Sequence, residues 1–92
     1  MRISFDPAKA ERTRRERSID FRDAVKVFAG PTYTARDVRF DYPEPEGRFI
    51  TAGLLEGRMM IVVWTPAEGG RHIISMRKAN DREQARYLYR LA

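Results

Sequence analysis

The chain has no cysteine and a single histidine, His72. Without thiols there is neither a disulfide framework nor a thiolate metal site, and nothing argues for an oxidising compartment, so the cytoplasm is the expected location. One histidine among carboxylates scattered between arginines is a poor donor set for a catalytic metal, and none is expected. Glycine-rich phosphate loops of Walker or dinucleotide-binding spacing are missing, as is Gly-x-Ser-x-Gly, so no cofactor is expected either. No apolar run approaches the ~20 residues that a membrane helix needs. The longest, Met59 to Trp64, has the length of a strand, and the opening MRISFDP lacks the apolar region of a signal peptide. A soluble protein with no membrane partner is expected.

Basic residues are what the chain does have. The net charge is +5, and fifteen of the eighteen basic residues are arginine. Arginine offers a planar fork of donors that matches phosphate and stacks on bases, whereas lysine is closer to a point charge. Such a surface fits a polyanion partner, nucleic acid first, and fits plain solvation as well. Ninety-two residues leave room for one domain, 1–92.

The pattern along the chain predicts an α+β domain. A short strand over residues 2–5 stops at Asp6-Pro7, where aspartate can cap a helix and proline fits its first turn. The helix that follows, 7–17, is almost entirely polar and belongs on the surface. Asp20 and Asp23 open a second helix, whose Phe21, Ala24, Val25 and Phe28 fall on one face, and Gly30-Pro31 ends it. Residues 32–47 read as a loop with one short strand near 32–34. An antiparallel meander follows, with strands at 48–54, 58–65 and 71–77 and turns at 55–57 and 66–70. Its middle strand is apolar on both faces and is expected to be central and covered on both sides. Asn80 with Glu83 forms a capping pair for a last helix, with Ala85, Leu88 and Leu91 on its apolar side.

The stretch RHIISMRKAN, residues 71–80, concentrates the candidate chemistry. Strand alternation sends Ile73, Ser75 and Arg77 to one face and His72, Ile74, Met76 and Lys78 to the other. Arg77 and Lys78 fit a solvated strand end, and they fit a phosphate site beside the amides that open the next helix. His72 suits proton transfer near neutrality, although a lone histidine is as easily structural. Trp64 and Tyr42 could stack on bases; Trp64, in the central strand, reads as core.

Several blocks in their order resemble the BrnT family of ribonuclease toxins from bacterial type II toxin–antitoxin systems. They are Phe5-Asp6-Pro7-x-Lys9, Ile19-x-Phe21 through Val27-Phe28, Arg48-Phe49-Ile50-Thr51-x-Gly53, the apolar strand to Thr65, and Ile73-Ile74-Ser75-Met76-Arg77-Lys78-Ala79 before Arg82-Glu83 and Tyr87. The resemblance implies a RelE-like fold and a small toxin that cleaves RNA and arrests growth. It implies neutralisation by a dimeric, DNA-binding BrnA-type antitoxin in a heterotetramer, with operator DNA contacted through the antitoxin. Three departures from the family's usual pattern stand out, at five positions. Glu16, Arg17 and Ser18 stand where it usually has Lys-His-Gly, Thr13 where it has Asn, and His72 where it has Arg before Ile-Ile-Ser.

Cleavage without a metal would use the ribose 2′-OH as nucleophile, and cations would stabilise the charge gathered on the phosphorane. Arg77 and Arg48 are the expected phosphate ligands, with Arg71 or Lys78 assisting. His72 is the candidate acid or base, and Glu46 an alternative base. Lys9, Arg12 and Arg15, spaced three apart on the first helix, could track flanking RNA or bind an acidic stretch of antitoxin. The same basic surface would also serve a non-catalytic nucleic-acid-binding module, or a degenerate toxin kept as an antitoxin-binding scaffold.

Overall fold

Strand β1 (Arg2–Phe5) hands over to helix α1 (Pro7–Arg17) at Asp6, whose carboxylate accepts the amide of Ala8 at 3.0 Å. The computed structural model describes residues 2–91. α1 ends at Ser18, which sits in the left-handed region at φ 57°. Glycine takes that conformation without a Cβ penalty, which explains its usual place at this position in the family resembled. A 3₁₀ turn (Phe21–Asp23) leads into helix α2 (Ala24–Ala29). The tighter turn shifts the phase of the apolar stripe: Phe21, Ala24 and Val27 are buried, while Val25 is 39 % exposed.

The remaining strands are β2 (Thr32–Asp37), β3 (Arg48–Leu55), β4 (Arg58–Ala67) and β5 (Gly70–Lys78), and helix α3 (Asp81–Tyr87) follows. They form one sheet in the order β1-β5-β4-β3-β2. β2 to β5 are antiparallel neighbours, and β1 returns to pair in parallel with β5 at the edge. β2 runs three residues past the short strand expected there, because Asp37 pairs with Arg48 and its buried carboxylate has partners. β3 and β4 are joined by Glu56-Gly57, both at positive φ, the geometry of a two-residue hairpin. At Gly70 the backbone of β1 lies where a Cβ would stand, so only glycine admits the parallel strand there.

The sheet has two packed faces. On one, Phe21, Ala24 and Val27 cover Met60, Val62, Ile73 and Met76, with Phe5 meeting Phe21 edge to face at 5.8 Å. On the other, Ala52, Met59, Ile61, Ala79 and Leu91 cluster, and Tyr33 stacks on Tyr87 of α3 at 5.6 Å. Leu91 is buried as expected, but Leu88 is 61 % exposed and Ala85 also faces solvent, because the chain leaves α3 through a second 3₁₀ turn. β4 is central and buried on both sides through Met59, Met60, Ile61 and Val62. β1 covers β5 only through residue 73, and beyond it Arg17 of α1 reaches the carbonyl of Met76 at 3.5 Å. No helix of the described residues is long and apolar enough to cross a membrane.

Candidate functional site

A β-bulge decides which residues of β5 share a face. Val63 pairs with Ser75 and Trp64 with Ile73, so Ile74 is an extra residue and the alternation slips there by one. Ile73 and Met76 consequently enter the same core. The strict alternation expected from sequence is corrected at this point. His72, opposite Thr65, lies on the face of Ser75 and Arg77, the latter opposite Ile61. Arg71, opposite Pro66, lies on the other face with Lys78, opposite Met60.

His72 and Arg77 share their face with Arg48, since Phe49 pairs with Trp64 and Arg48 must point the opposite way. α3 covers only part of that face, and charged side chains surround the remainder. Arg48 is the best-defined of them. Its guanidinium donates to both oxygens of Glu44, at 2.9 and 3.0 Å, and stacks over the Tyr42 ring at 4.5 Å. The hydrogen bonds from Arg48 hold the Glu44 carboxyl below its ordinary range, with His72 contributing in the same direction. Lys9 comes from α1 to the same place: partial burial lowers its pKa first, and the positive charges of Arg48 and Arg12 lower it further.

His72 is held by β1. Its Nδ1 lies 2.9 Å from the Ser4 hydroxyl, a contact made by the register of the parallel pair. One ring nitrogen is thereby engaged, as donor or acceptor according to the tautomer, leaving Nε2 for other work. Asp37 anchors the loop that carries Tyr42 and Glu44. It accepts from Arg39 at two oxygens, each at 2.9 Å, and from the Tyr42 hydroxyl at 2.6 Å. These bonds, that from Arg39 above all, hold its carboxyl far below the usual carboxylate range.

Arg77 has a partner of its own. Both terminal nitrogens donate to Glu83, each at 2.7 Å. Glu83 also accepts the Asn80 amide at 3.0 Å while the Asn80 side chain accepts the Glu83 amide at 2.8 Å, the full capping box of α3. The anion expected at this helix start is therefore the chain's own carboxylate. Arg71 lies over the rings of Phe28, at 4.2 Å, and Trp64, at 4.7 Å. Lys78 borders Ser18, Ile19 and Met60. Neither shares the face of His72, Arg48 and Arg77. Arg12 and Arg15 are exposed on α1, and Arg12 is close enough to Lys9 to affect its charge. Among the expected stacking residues, Trp64 belongs to the core, donating to Thr51 Oγ1 at 2.8 Å, while Tyr42 lies against the site arginine.

Two residues of the site were not legible beforehand. Glu44 is the carboxylate on Arg48, whereas Glu46, two residues on, is exposed. Ser4 reaches His72 across sixty-eight positions. The four-residue spacing from Glu44 to Arg48 was the only available signal, and it sat in a segment with two prolines and no helical period. Among the described residues no group of three histidine, aspartate or glutamate side chains converges as a metal site.

Residues 5–83 match the family model described as ribonuclease toxin, BrnT, of type II toxin-antitoxin system. The chain belongs to the BrnT family. The match begins at Phe5 and ends at Glu83, and so takes in Lys9, Arg48, His72 and Arg77 together with the helices and strands that position them. Membership makes the chain a ribonuclease toxin of a type II system, with RNA as substrate and an antitoxin as partner. No curated protein matches it significantly.

Proposed function

We propose that this BrnT chain is a metal-independent endoribonuclease whose site is the open part of the sheet face between α1, the loop of residues 38–47 and β5. The observation that carries this reading is that Arg48, the oriented His72 and Arg77 share one face of the sheet, with Lys9 close to Arg48. A phosphate arriving at Arg48 displaces Glu44. The released carboxylate loses the bonds that depressed its pKa, and it lies beside the arriving phosphate. It takes the proton of the ribose 2′-OH as that oxygen attacks the adjacent phosphorus. The P–O5′ bond breaks, His72 Nε2 protonates the departing oxygen, and a 2′,3′-cyclic phosphate remains on the upstream fragment. Arg48 and Arg77, permanently protonated, stabilise the phosphorane without exchanging protons. Lys9 with Arg12 and Arg15 binds the flanking backbone.

Cleavage of cellular RNA inhibits translation and arrests growth in the cytoplasm. The neutralising partner is a dimeric BrnA-type antitoxin, which forms a heterotetramer with two toxin chains and makes the contacts to operator DNA. The test is incubation of the purified chain with defined single-stranded RNA in EDTA, reading the 3′ ends of the fragments. Cyclic-phosphate ends that disappear with Arg77→Ala support the reading; full activity of that variant removes Arg77 from the site. A pH–rate profile unchanged by His72→Gln removes His72 from proton transfer.

One observation favours a second reading. Arg48 and Arg77 are each already neutralised by a carboxylate of the chain, and Glu16 and Arg17 stand where the family usually has Lys-His. A degenerate toxin that binds antitoxin or RNA without cleaving it would look this way. Intact RNA together with harmless expression in cells lacking antitoxin would select it.

A further inference from the structure

The loop of residues 38–47 carries the most exposed large apolar side chains of the described residues, Val38 at 79 % and Phe40 at 69 %. Leaving an aromatic ring in water forfeits its burial energy, and here the ring is in a fixed place. Asp37 ties down Arg39 and Tyr42, and Glu44 ties down Arg48. Phe40 meets Tyr42 edge to face at 6.0 Å, and Tyr42 in turn lies 4.5 Å from the guanidinium of Arg48. Between these rings and the side chains of Arg36, Asp41 and Glu44 is an open cleft of about 290 Å³.

We infer that this cleft receives a nucleobase of the RNA, stacked on the exposed face of Phe40, beside the phosphate held by Arg48. The inference rests on the reading of the chain as an RNA-cleaving toxin and adds what that reading lacks, the contact that chooses where the strand is cut. Three features match a base. An aromatic platform stacks on any base, the polar wall of Arg36 and Asp41 offers donors and acceptors to a base edge, and Arg48, the cation assigned to the backbone, lies against Tyr42 of the same cleft. The Tyr42 ring joins platform and cation, so base and phosphate of one strand are held by a single small loop.

The experiment uses a labelled single-stranded RNA whose 2′-hydroxyls are all methylated, so that binding is read without cleavage. Affinity is measured by fluorescence anisotropy for the full chain and for Phe40→Ala and Phe40→Trp, with abasic substitutions walked along the oligonucleotide. Phe40→Ala is expected to weaken binding roughly 5- to 100-fold, the range of one lost base stack. Phe40→Trp keeps the affinity. Removing the base at one position should weaken the unaltered chain and leave Phe40→Ala unaffected there. Equal affinity of Phe40→Ala, no binding by the unaltered chain, or an abasic effect of the same size in both proteins would each overturn the base site. So would a Phe40→Ala defect confined to capture of the antitoxin. Cleavage is scored separately on unmodified RNA: a positive base walk with no cleavage defeats the nuclease reading and keeps the site. Cleavage with an unchanged cut pattern in Phe40→Ala does the reverse.

Discussion

The two faces of this sheet use cations in different ways. On the face covered by the 3₁₀ turn and α2, Arg71 is spread over Phe28 and Trp64, and the surrounding side chains are apolar and buried. On the face that α3 only partly covers, Arg48 and Arg77 are bound to Glu44 and Glu83, and Lys9 approaches Arg48 from α1. A guanidinium over aromatic rings contributes to packing and has little left to offer a ligand. A guanidinium held by a carboxylate keeps its geometry and can exchange that carboxylate for a phosphate, because the two anions present the same paired oxygens. On the function proposed above, one face serves folding and the other is preloaded for anions.

Substitutions on the two faces should separate along this line. Met76→Ala on the closed face removes a fully buried side chain and should cost about 2–5 kcal/mol in chemical denaturation, with cleavage by the remaining folded protein unchanged. Arg48→Ala on the open face should do the opposite, lowering kcat by roughly 10²–10³, about 2.7–4 kcal/mol, while the melting temperature moves little. The sharpest challenge is Arg71→Ala, expected to lose about 1–2 kcal/mol of stability and no cleavage rate. A folded Arg71→Ala protein that no longer cuts RNA would break the division of the faces.

The smallest expected effect concerns pH. Glu83, Glu44 and Asp37 are all held below ordinary carboxylate values, chiefly by hydrogen bonds from Arg77, Arg48 and Arg39. The folded state then binds fewer protons than the unfolded one near pH ~4, so stability rises with pH through that region. The contribution is complete above the unfolded values and is lost as pH falls through the folded ones. Glu83→Gln should lower stability by roughly 1 kcal/mol at neutral pH and flatten the acid limb of a melting-temperature series.

Much of the scaffold was legible because its signals are local. Asp6-Pro7 starts a helix, Asn80 and Glu83 start another, and Met59 to Val62 fill both faces of a central strand. What could not be read depends on partners distant in sequence. The bulge at Ile74 exists only in relation to Val63 and Trp64, yet it decides that His72 joins Arg77 and that Arg71 does not. β2 runs longer than its local pattern predicts, because Ala35-Arg36-Asp37 has no strand pattern of its own and is held by β3. Val25 looked like core because a regular helical period was assumed across what is a 3₁₀ turn. Glu44 is the carboxylate on Arg48, and nothing local distinguishes it from Glu46 in the same loop.

The parallel seat of β1 also sets an order of events during synthesis. Ser4, which orients His72, leaves the ribosome sixty-eight residues before its partner, and the strand that carries that partner ends at Lys78. Contacts so far apart in sequence form late, after the entropy of closing the intervening chain has been met. The nascent toxin therefore carries its cations past the translation machinery in an unassembled state. It becomes competent to attack RNA only once β5 has emerged and closed on β1.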